Sequence, residues 1–317
     1  MTAGSWFVMG VDLGSTTAKA VVVDRDGALC GAKVVQMGAV SRAAVALAMD
    51  GARDAAAVTA AQIRRTISTG YGRKLVPGAD RTFTEITCHA RGAAALRPGV
   101  RLVIDIGGQD SKAIIVDDDG LVDRFAMNDR CASGTGRFFD VLARALEVDI
   151  GVVGELALAG SDNLEVSSMC ATFAETEVIS LLAQGCGKAD IAASVHKAVA
   201  ARTLGLVAQV GKASPVVMTG GVANNTAAVH FVSKALGRPV ELLDQPQIAG
   251  AYGASLLARE EYLGAIASSA TQDAAAEKHL ATTTSTGVPD CARCDGTIAA
   301  HREANRAVTL ELRRNIG

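Results

Sequence analysis

Two short segments of the chain combine aspartate, glycine and hydroxyl side chains in a pattern that suits phosphate chemistry. The first, 12–17, reads DLGSTT and is followed by Lys19, and the second, 105–110, reads DIGGQD. Glycine lets backbone N–H groups approach phosphate oxygens, and a turn of such donors forms an anion-binding concavity. A third turn, 219–225, reads TGGVANN and follows an apolar run. We expect the first two turns to bind the phosphates of a nucleotide and the third to bind its adenosine side.

These turns supply the candidate binding and catalytic residues. The predicted nucleotide ligands are Gly14, Ser15, Thr16, Thr17, Lys19, Gly107, Gly108, Gly220, Gly221, Asn224 and Gln247. Asp12 and Asp105 end their strands, and we expect them to hold a hydrated Mg²⁺, which prefers carboxylates, waters and substrate phosphates. Gln109 and Asp110 are the polar side chains best placed to orient an attacking water. The sequence does not decide between these two, and either could instead stabilise its own turn.

Cys131 and Cys170 each stand shortly before a helical pattern. The unpaired N–H groups and the positive dipole end of a helix favour a thiolate, which is the form that an iron–sulfur cluster requires. One chain offers two such positions, whereas a symmetric dimer with the site on its axis offers four. The alternative is that both cysteines are small buried hydrophobic residues.

Other polar residues carry weaker signals. Cys291 and Cys294 form a CxxC near His301, but no second CxxC completes a structural zinc site. We therefore expect a flexible or partner-contacting tail there. His89 is interpreted as a structural residue near the cleft or interface, and Tyr71 as a loop residue of the same region.

The two phosphate turns belong to an internal repeat. Residues 11–27 (VDLGSTTAKAVVVDRDG) and 104–120 (IDIGGQDSKAIIVDDDG) align at a constant offset of 93. Each copy reads as a strand ending in aspartate, a glycine turn, a second strand and a D-x-D-G turn, which predicts a β-hairpin. Two copies imply a duplicated protein with a ligand cleft between its halves.

Helical patterns separate the predicted strands, so the fold class is α/β. They cover 43–61, the apolar stripe of 138–146, a segment that starts near Phe173 with a capping box of Thr172 and Glu175, 191–209, and a segment from Asn225. We expect a first half-domain at 1–100, completed by a helix at about 250–265, and a second at 101–250. Residues 266–317 are expected to form a linker, rich in Ala, Thr and Ser from Ser268, and a tail.

Composition excludes several classes of protein. The 317 residues include 31 Lys and Arg against 33 Asp and Glu, so the net charge of −2 argues against a nucleic-acid surface. Apolar runs such as 43–49 and 55–61 are far shorter than the roughly 20 residues of a membrane span. The N-terminus lacks a basic segment and a cleavage site, and seven cysteines do not suit a disulfide framework. We expect an uncleaved cytoplasmic protein.

Several motifs together resemble one family. They are NDRCASGTGRFF (128–139), CATFAETEVIS (170–180), TGYG (69–72), EITCHA (85–90) and TGGVAN (219–224). In this order they resemble the activators of 2-hydroxyacyl-CoA dehydratases and the ATP-hydrolysing subunits of benzoyl-CoA reductase, from about residue 8 to about 260. That family belongs to the superfamily of actin, heat-shock ATPases and sugar kinases.

The resemblance implies a duplicated, ribonuclease H-like ATPase fold with two half-domains around a nucleotide cleft that binds ATP or ADP with Mg²⁺. It also implies one [4Fe–4S] cluster per homodimer or paralogous heterodimer, held by the cysteines at positions 131 and 170. ATP hydrolysis would then drive a low-potential electron, received from ferredoxin or flavodoxin, into a reductase or dehydratase that acts on a CoA ester. The tail beyond residue 260 departs from the family pattern.

Two other functions compete with this one. A small-molecule kinase of the same superfamily would carry incidental cysteines, but it needs insertions that form a substrate pocket, for which this chain is compact. A nucleotide-dependent binding module would bind ATP without releasing phosphate.

Overall fold

The computed structural model describes residues 6–38, 40–128, 134–161, 163–166 and 171–283. The chain divides into two compact units, Met1–Leu263 and Gly264–Gly317. The first unit contains all the described strands. Cys291, Cys294 and His301 lie outside the described residues.

The described strands form two five-stranded sheets. Their bounds are β1 Phe7–Leu13, β2 Thr17–Val23, β3 Leu29–Gln36, β4 Ile63–Thr69, β5 Arg81–Thr82, β6 Leu102–Ile106, β7 Ser111–Val116, β8 Val122–Asn128, β9 Val216–Thr219 and β10 Val240–Leu242. The sheet orders are β3-β2-β1-β4-β5 and β8-β7-β6-β9-β10, so both sheets have the same topology. In each sheet the first three strands along the chain pair with one another in antiparallel fashion. The last two strands are added on the other side of the first strand, in parallel with it.

The predicted repeat of one hairpin is confirmed in its register. Asp12 pairs with Lys19 across β1 and β2, and Asp105 pairs with Lys112 across β6 and β7. Both strands of each hairpin are almost entirely buried. Their near-continuous runs of apolar residues reflect this burial on both faces of each sheet. The predicted α/β class is also confirmed.

Helices connect and cover the two sheets. Their bounds are α1 Arg42–Ala56, α2 Glu85–Leu96, α3 Gly136–Ala145, α4 Val153–Ala159, α5 Ala171–Ala183, α6 Lys188–Val210, α7 Thr226–Leu236 and α8 Ala249–Thr283. Short 3₁₀ turns lie at Ala60–Gln62, Arg73–Leu75, Ile150–Val152, Gly221–Asn224 and Pro246–Ile248. The 23-residue helix α6 is long and apolar enough to cross a membrane by its length and composition. However, 56% of its most apolar 18-residue stretch is buried inside the fold. It is therefore a core helix.

Three helix predictions need correction. The helix expected over 43–61 ends at Ala56, because Ala57 adopts a left-handed conformation with φ of 53°. Helix α5 begins at Ala171, so Thr172 lies within it and does not cap it. The stretch from Ser268, expected to be a linker, is helical as far as Thr283. Its many alanines have the highest helix propensity, so a helix forms there without an apolar face.

Two helices are exchanged between the sheets. Helix α2 packs Ala90 and Ala93 against the second sheet, in a cluster with Val103 and Ile114. Helix α8 packs three alanines, Ala251, Ala254 and Ala258, against the first sheet. Each sheet is thus covered by a helix that follows the other sheet in the chain.

The exchanged helices cross with their backbones in contact. A Cβ atom added at Gly253 would lie 1.8 Å from the carbonyl oxygen of Cys88, and one at Gly92 would lie 1.9 Å from that of Ala249. Neither glycine can carry a side chain without moving one helix away from the other. The two glycines therefore set the distance between α2 and α8.

We predict that Gly253→Ala destabilises the protein, because its new methyl group collides with backbone that cannot rotate away. The free energy of unfolding should fall by about 3 kcal/mol, the upper range of overpacking effects. Urea unfolding followed by circular dichroism measures this change. Gly264→Ala is the matched control in the same helix, because open space surrounds Gly264. That control should raise stability by about 0.5–1 kcal/mol through helix propensity. Equal effects of the two substitutions would contradict a tight crossing.

Candidate active site

A cleft of about 980 Å³ lies within the first unit and is lined by both phosphate turns and by the third glycine turn. All the predicted nucleotide ligands line it: Gly14, Ser15, Thr16, Thr17, Lys19, Gly107, Gly108, Gly220, Gly221, Asn224 and Gln247. The four predicted catalytic residues, Asp12, Asp105, Gln109 and Asp110, line it too. The residues predicted from the sequence therefore line one cleft, although they come from four separate segments of the chain.

The two phosphate turns face each other at close range. A Cβ atom added at Gly108 would lie 2.6 Å from the side chain of Thr16 and 3.2 Å from the hydroxyl of Ser15. Glycine at position 108 therefore allows the hydroxyl-bearing turn to approach. Within the first turn, the N–H of Gly14 donates to the carbonyl of Thr17 at 3.0 Å, and Gly107 makes the equivalent 2.9 Å bond to Asp110.

Each hairpin ends in a buried aspartate–lysine pair. Lys19 Nζ lies 2.9 Å from Asp12 Oδ2, and Lys112 Nζ lies 3.2 Å from Asp105 Oδ2. Lys112 also contacts Asp110 Oδ2 at 2.8 Å, so one buried ammonium serves two carboxylates. Lys112 was not among the predicted site residues, although the repeat aligns it with Lys19.

Burial and pairing act in opposite directions on these groups. Burial would raise the pKa of Asp105, but the nearby His89 and Lys112 and hydrogen bonds from Lys112 and Thr219 lower it to about 2. Burial raises the pKa of Asp110, and the attraction of Lys112 offsets only part of that effect. Burial would lower the pKa of Lys112, but Asp105 and Asp110 raise it, so Lys112 stays charged. The second phosphate turn therefore holds a carboxylate–ammonium–carboxylate cluster.

A glycine that follows the neighbouring parallel strand packs against the aspartate of each pair. Gly70 follows β4 with φ of +88°, and Gly220 follows β9 with φ of +85°. A Cβ atom at Gly70 would lie 2.3 Å from Asp12 Oδ1, and one at Gly220 would lie 2.8 Å from Asp105 Oδ1. The Thr-Gly dipeptide that ends both strands is the sequence signal for Gly70, which was not predicted as a site residue. Tyr71, interpreted as a loop residue, lines the cleft and is 78% exposed.

The third glycine turn leads into a supported helix start. Asn225 caps α7 by accepting a 3.2 Å hydrogen bond from the N–H of Ala228. Its amide lies 2.9 Å from Nε2 of the buried His196, whose Nδ1 lies 2.7 Å from the carbonyl of Ala192. Because a carbonyl only accepts, Nδ1 carries the proton and Nε2 accepts from Asn225. Burial lowers the pKa of His196, which keeps this acceptor available.

Asn224 and Gln247 meet beside this turn. The amide of Asn224 donates to Gln247 Oε1 at 3.3 Å. Phe139 and Glu155 also line the cleft. The side-chain amides of Asn224 and Gln247 can both donate and accept hydrogen bonds, which suits the base and ribose of a nucleoside.

The second phosphate turn is also hydrogen-bonded to the start of α3. The N–H of Gly136 donates to the carbonyl of Gly107 at 2.8 Å, and the N–H of Arg137 donates to that of Gly108 at 2.9 Å. The hydroxyl of Ser111, in β7, donates to the carbonyl of Gly134 at 2.6 Å. Two backbone bonds thus connect the start of α3 with the second phosphate turn, and one side-chain bond connects Gly134 with β7.

The predicted cluster ligands, Cys131 and Cys170, lie outside the described residues. Among the described residues, no group of three or more His, Cys, Asp or Glu side chains is arranged to hold a metal ion. Burial raises the pKa of Cys88 to about 12 and also raises that of Cys30. Both thiols therefore favour the protonated form.

We predict that Lys112→Met destabilises the fold more than Lys19→Met. Lys112 is 2% exposed and its loss leaves two carboxylates without their cation, whereas Lys19 is 9% exposed and serves one. Breaking such a buried pair costs about 3–5 kcal/mol. Urea unfolding at pH 7 measures both variants, and the double variant Lys112→Met, Asp105→Asn should recover part of the loss. A larger effect at Lys19 would contradict this ranking.

Comparisons with known proteins identify the family of the chain. The model of the BadF/BadG/BcrA/BcrD ATPase family matches residues 9–258. The activator of lactoyl-CoA dehydratase from Anaerotignum propionicum is 43% identical over 254 residues, which cover 80% of this chain and 98% of the relative. One of the subunits of benzoyl-CoA reductase from Thauera aromatica is 33% identical over 215 residues, covering 66% of this chain and 76% of the relative.

Solved structures show the same fold. The activator of the 2-hydroxyisocaproyl-CoA dehydratase from Clostridium difficile, solved with bound ADPNP, has a TM-score of 0.79 and 35% identity, covering 83% of this chain and 97% of that one. A glucokinase of the ROK family from Streptomyces griseus has a TM-score of 0.51 at 16% identity, covering 80% and 99% of the chains, and shares the fold alone. The predicted actin- and sugar-kinase-like architecture is therefore confirmed. With a family model that spans most of its length and relatives of this similarity, the chain belongs to the BadF/BadG/BcrA/BcrD ATPase family.

Proposed function

We propose that this ATPase is the electron-transfer component of a two-component system that acts on CoA esters. In this proposal, two copies of the chain, or the chain and a paralogue, share one [4Fe–4S] cluster through Cys131 and Cys170. Hydrolysis of ATP drives one low-potential electron into a separate dehydratase or reductase. Relatives of both kinds support the proposal, and the higher identity to a dehydratase activator favours a dehydratase as the partner.

The observation that carries the proposal is the hydrogen-bonded link between the second phosphate turn and the start of α3. Gly107 and Gly108 line the cleft, and their carbonyls accept the N–H groups of Gly136 and Arg137. The segment that holds Cys131 immediately precedes these residues. A displacement of the turn on binding or losing a γ-phosphate must therefore move the residues next to Cys131.

The chain's own residues account for the coupling in this proposal. The first turn and the second turn close on the phosphates, and the bonds to Gly136 and Arg137 pass the movement to α3. Cys170 precedes α5 in the sequence. In this proposal its thiolate would be stabilised by the unpaired N–H groups of a helix N-terminus. When bound, a cluster of this kind supplies a one-electron carrier whose potential responds to hydrogen bonding and exposure.

The Mg²⁺ ion in this proposal is held through waters. Asp12 and Asp105 present carboxylate oxygens at the floor of the cleft, which suits a hard cation. However, Asp12 Oδ2 already contacts Lys19, and both oxygens of Asp105 have protein partners. Their remaining capacity fits ordered waters of a hydrated ion better than direct coordination.

The electron donor and the compartment are part of the same proposal. A ferredoxin or flavodoxin would reduce the protein before each transfer, in the cytoplasm. The cysteines described by the structure, Cys30, Cys88 and Cys186, are free thiols, which is consistent with a reducing compartment.

The decisive experiment is Cys131→Ala on protein purified without oxygen. We expect wild-type protein to be brown and to contain about two iron atoms per chain, since one four-iron cluster serves two chains. The variant should lose iron, colour and reduction of the partner but still bind a fluorescent ATP analogue, because the cleft is intact. Cys170→Ala should behave alike. Cys30→Ala is the control and should keep its iron; iron retained in Cys131→Ala would refute the assignment.

A second experiment separates the two candidates for orienting the attacking water. The carboxylate of Asp110 contacts Lys112, whereas the side chain of Gln109 is exposed in the cleft. We propose that Gln109 orients the water and that Asp110 holds the turn. Gln109→Leu should then lower kcat about 100-fold with little change in KM, within the range of a lost positioning group. Asp110→Asn should lower the midpoint of urea unfolding, because it weakens the contact with Lys112 that holds the turn. A Gln109→Leu variant with full kcat in a phosphate-release assay would refute this role.

A further inference from the structure

His89 lies beside the aspartate of the second phosphate hairpin. It lies on α2, is 5% exposed and lines the cleft. Its neighbours on the same helix, Cys88 and Gly92, are in backbone contact with α8. The helix crossing therefore fixes the backbone that carries the imidazole.

The Nδ1 edge of His89 faces the second hairpin. Nδ1 lies 3.1 Å from the hydroxyl of Thr219 and 3.3 Å from Asp105 Oδ1. The hydroxyl of Thr219 itself donates to Asp105 Oδ1 at 3.0 Å. Because the ionised carboxylate only accepts and the hydroxyl proton is already used, Nδ1 carries a proton shared between these two oxygens.

The Nε2 edge faces the first hairpin. The α-carbon of Gly250 packs against this edge, and a Cβ atom there would lie 2.8 Å from His89 Nε2 and 3.3 Å from Asp12 Oδ2. Nε2 and the carboxylate of Asp12 therefore border the same small space, which the missing side chain of Gly250 leaves open. One imidazole thus stands between the aspartates of both hairpins.

We propose that His89 is a positioning residue that holds the carboxylate of Asp105 through Nδ1–H and Thr219 and aligns it with Asp12 across the cleft floor. The inference rests on the proposed ATPase function and adds a role for a residue first interpreted as structural. Fixing Asp105 fixes the waters that this carboxylate orients around the nucleotide phosphates. The effect should therefore fall on the hydrolytic step and not on nucleotide affinity.

A pair of substitutions tests which edge of the ring matters. Asparagine places an amide nitrogen near the position of Nδ1, and glutamine places one near that of Nε2. His89→Asn should keep kcat for ATP hydrolysis within about threefold of wild type, whereas His89→Gln should lower it about 10- to 100-fold, as expected for a misplaced catalytic group. The KM for MgATP and the affinity for a fluorescent ATP analogue should change less than about threefold in both.

Thr219→Val tests the same hydrogen bond without touching the imidazole, and it carries the test if His89→Gln does not fold. It should lower kcat about 10-fold, and the double variant with His89→Gln should be no worse than the more impaired single variant, because both remove one arrangement. Ser194→Ala is the control for a buried hydroxyl, since Ser194 donates to the carbonyl of Ile191 in its own helix and does not line the cleft in the described part of the chain. It should leave kcat unchanged.

The outcomes separate this inference from the function on which it rests. Wild-type protein without ATP hydrolysis would refute the proposed function. Wild-type hydrolysis together with equal kcat values for His89→Asn and His89→Gln would overturn the positioning role, as would full activity of Thr219→Val. A loss confined to KM would also overturn it, because it would assign His89 to binding.

Discussion

The backbone contact between α2 and α8 is the constraint on which the cleft depends. Each helix covers the sheet that it does not follow in the chain, so neither half-domain has a complete core without the other. The crossing at Gly92 and Gly253 brings main chains to a distance that no side chain permits. Asp12 of the first phosphate hairpin lies near Gly250 of α8, and Asp105 of the second lies near His89 of α2. The crossing of the two helices therefore lies beside the ends of both hairpins.

Buried charge follows from that arrangement. Each hairpin places an aspartate at the end of an almost fully buried strand, where an isolated carboxylate would be strongly disfavoured. The cross-strand lysine compensates it in both hairpins, and in the second hairpin Lys112 also compensates Asp110. These pairs compensate the negative charge of the aspartates at the floor of the cleft. Their net contribution to stability is small compared with the cost of breaking them.

The repeat made much of this site predictable. Identical residues at a constant offset predict two equivalent hairpins, and the structure gives both the same register, with Asp12 opposite Lys19 and Asp105 opposite Lys112. The same offset could have identified Lys112, and the two Thr-Gly dipeptides could have identified Gly70. The extent of α8 beyond Ser268 was not predicted, because a segment rich in alanine without an apolar face was interpreted as a linker. The same alanines have a high helix propensity.

The role of His89 was beyond the reach of sequence reasoning. Its partners, Thr219 and Asp105, come from other segments, and Gly250 comes from α8. Only the exchange of helices between the sheets brings these four residues together. A lone histidine on an otherwise apolar helix face does not reveal such a contact, because the pattern of one helix contains no information about which sheet it covers.

The two halves differ at one point, and that difference connects the fold with the proposed function. In the first half, residues 37–62 join β3 to β4 through one α-helix, and the N–H of Met37 donates to the carbonyl of Thr16 in the phosphate turn at 2.8 Å. In the second half, residues 129–215 join β8 to β9 and contain α3 to α6. There the phosphate turn is bonded to Gly136 and Arg137 at the start of α3. The two hairpins are therefore equivalent in topology, and the longer connection of the second half places the start of α3 in hydrogen-bond contact with the second phosphate turn. Because that contact consists of backbone hydrogen bonds, it depends on the conformation of the turn and is insensitive to the side chain at position 137.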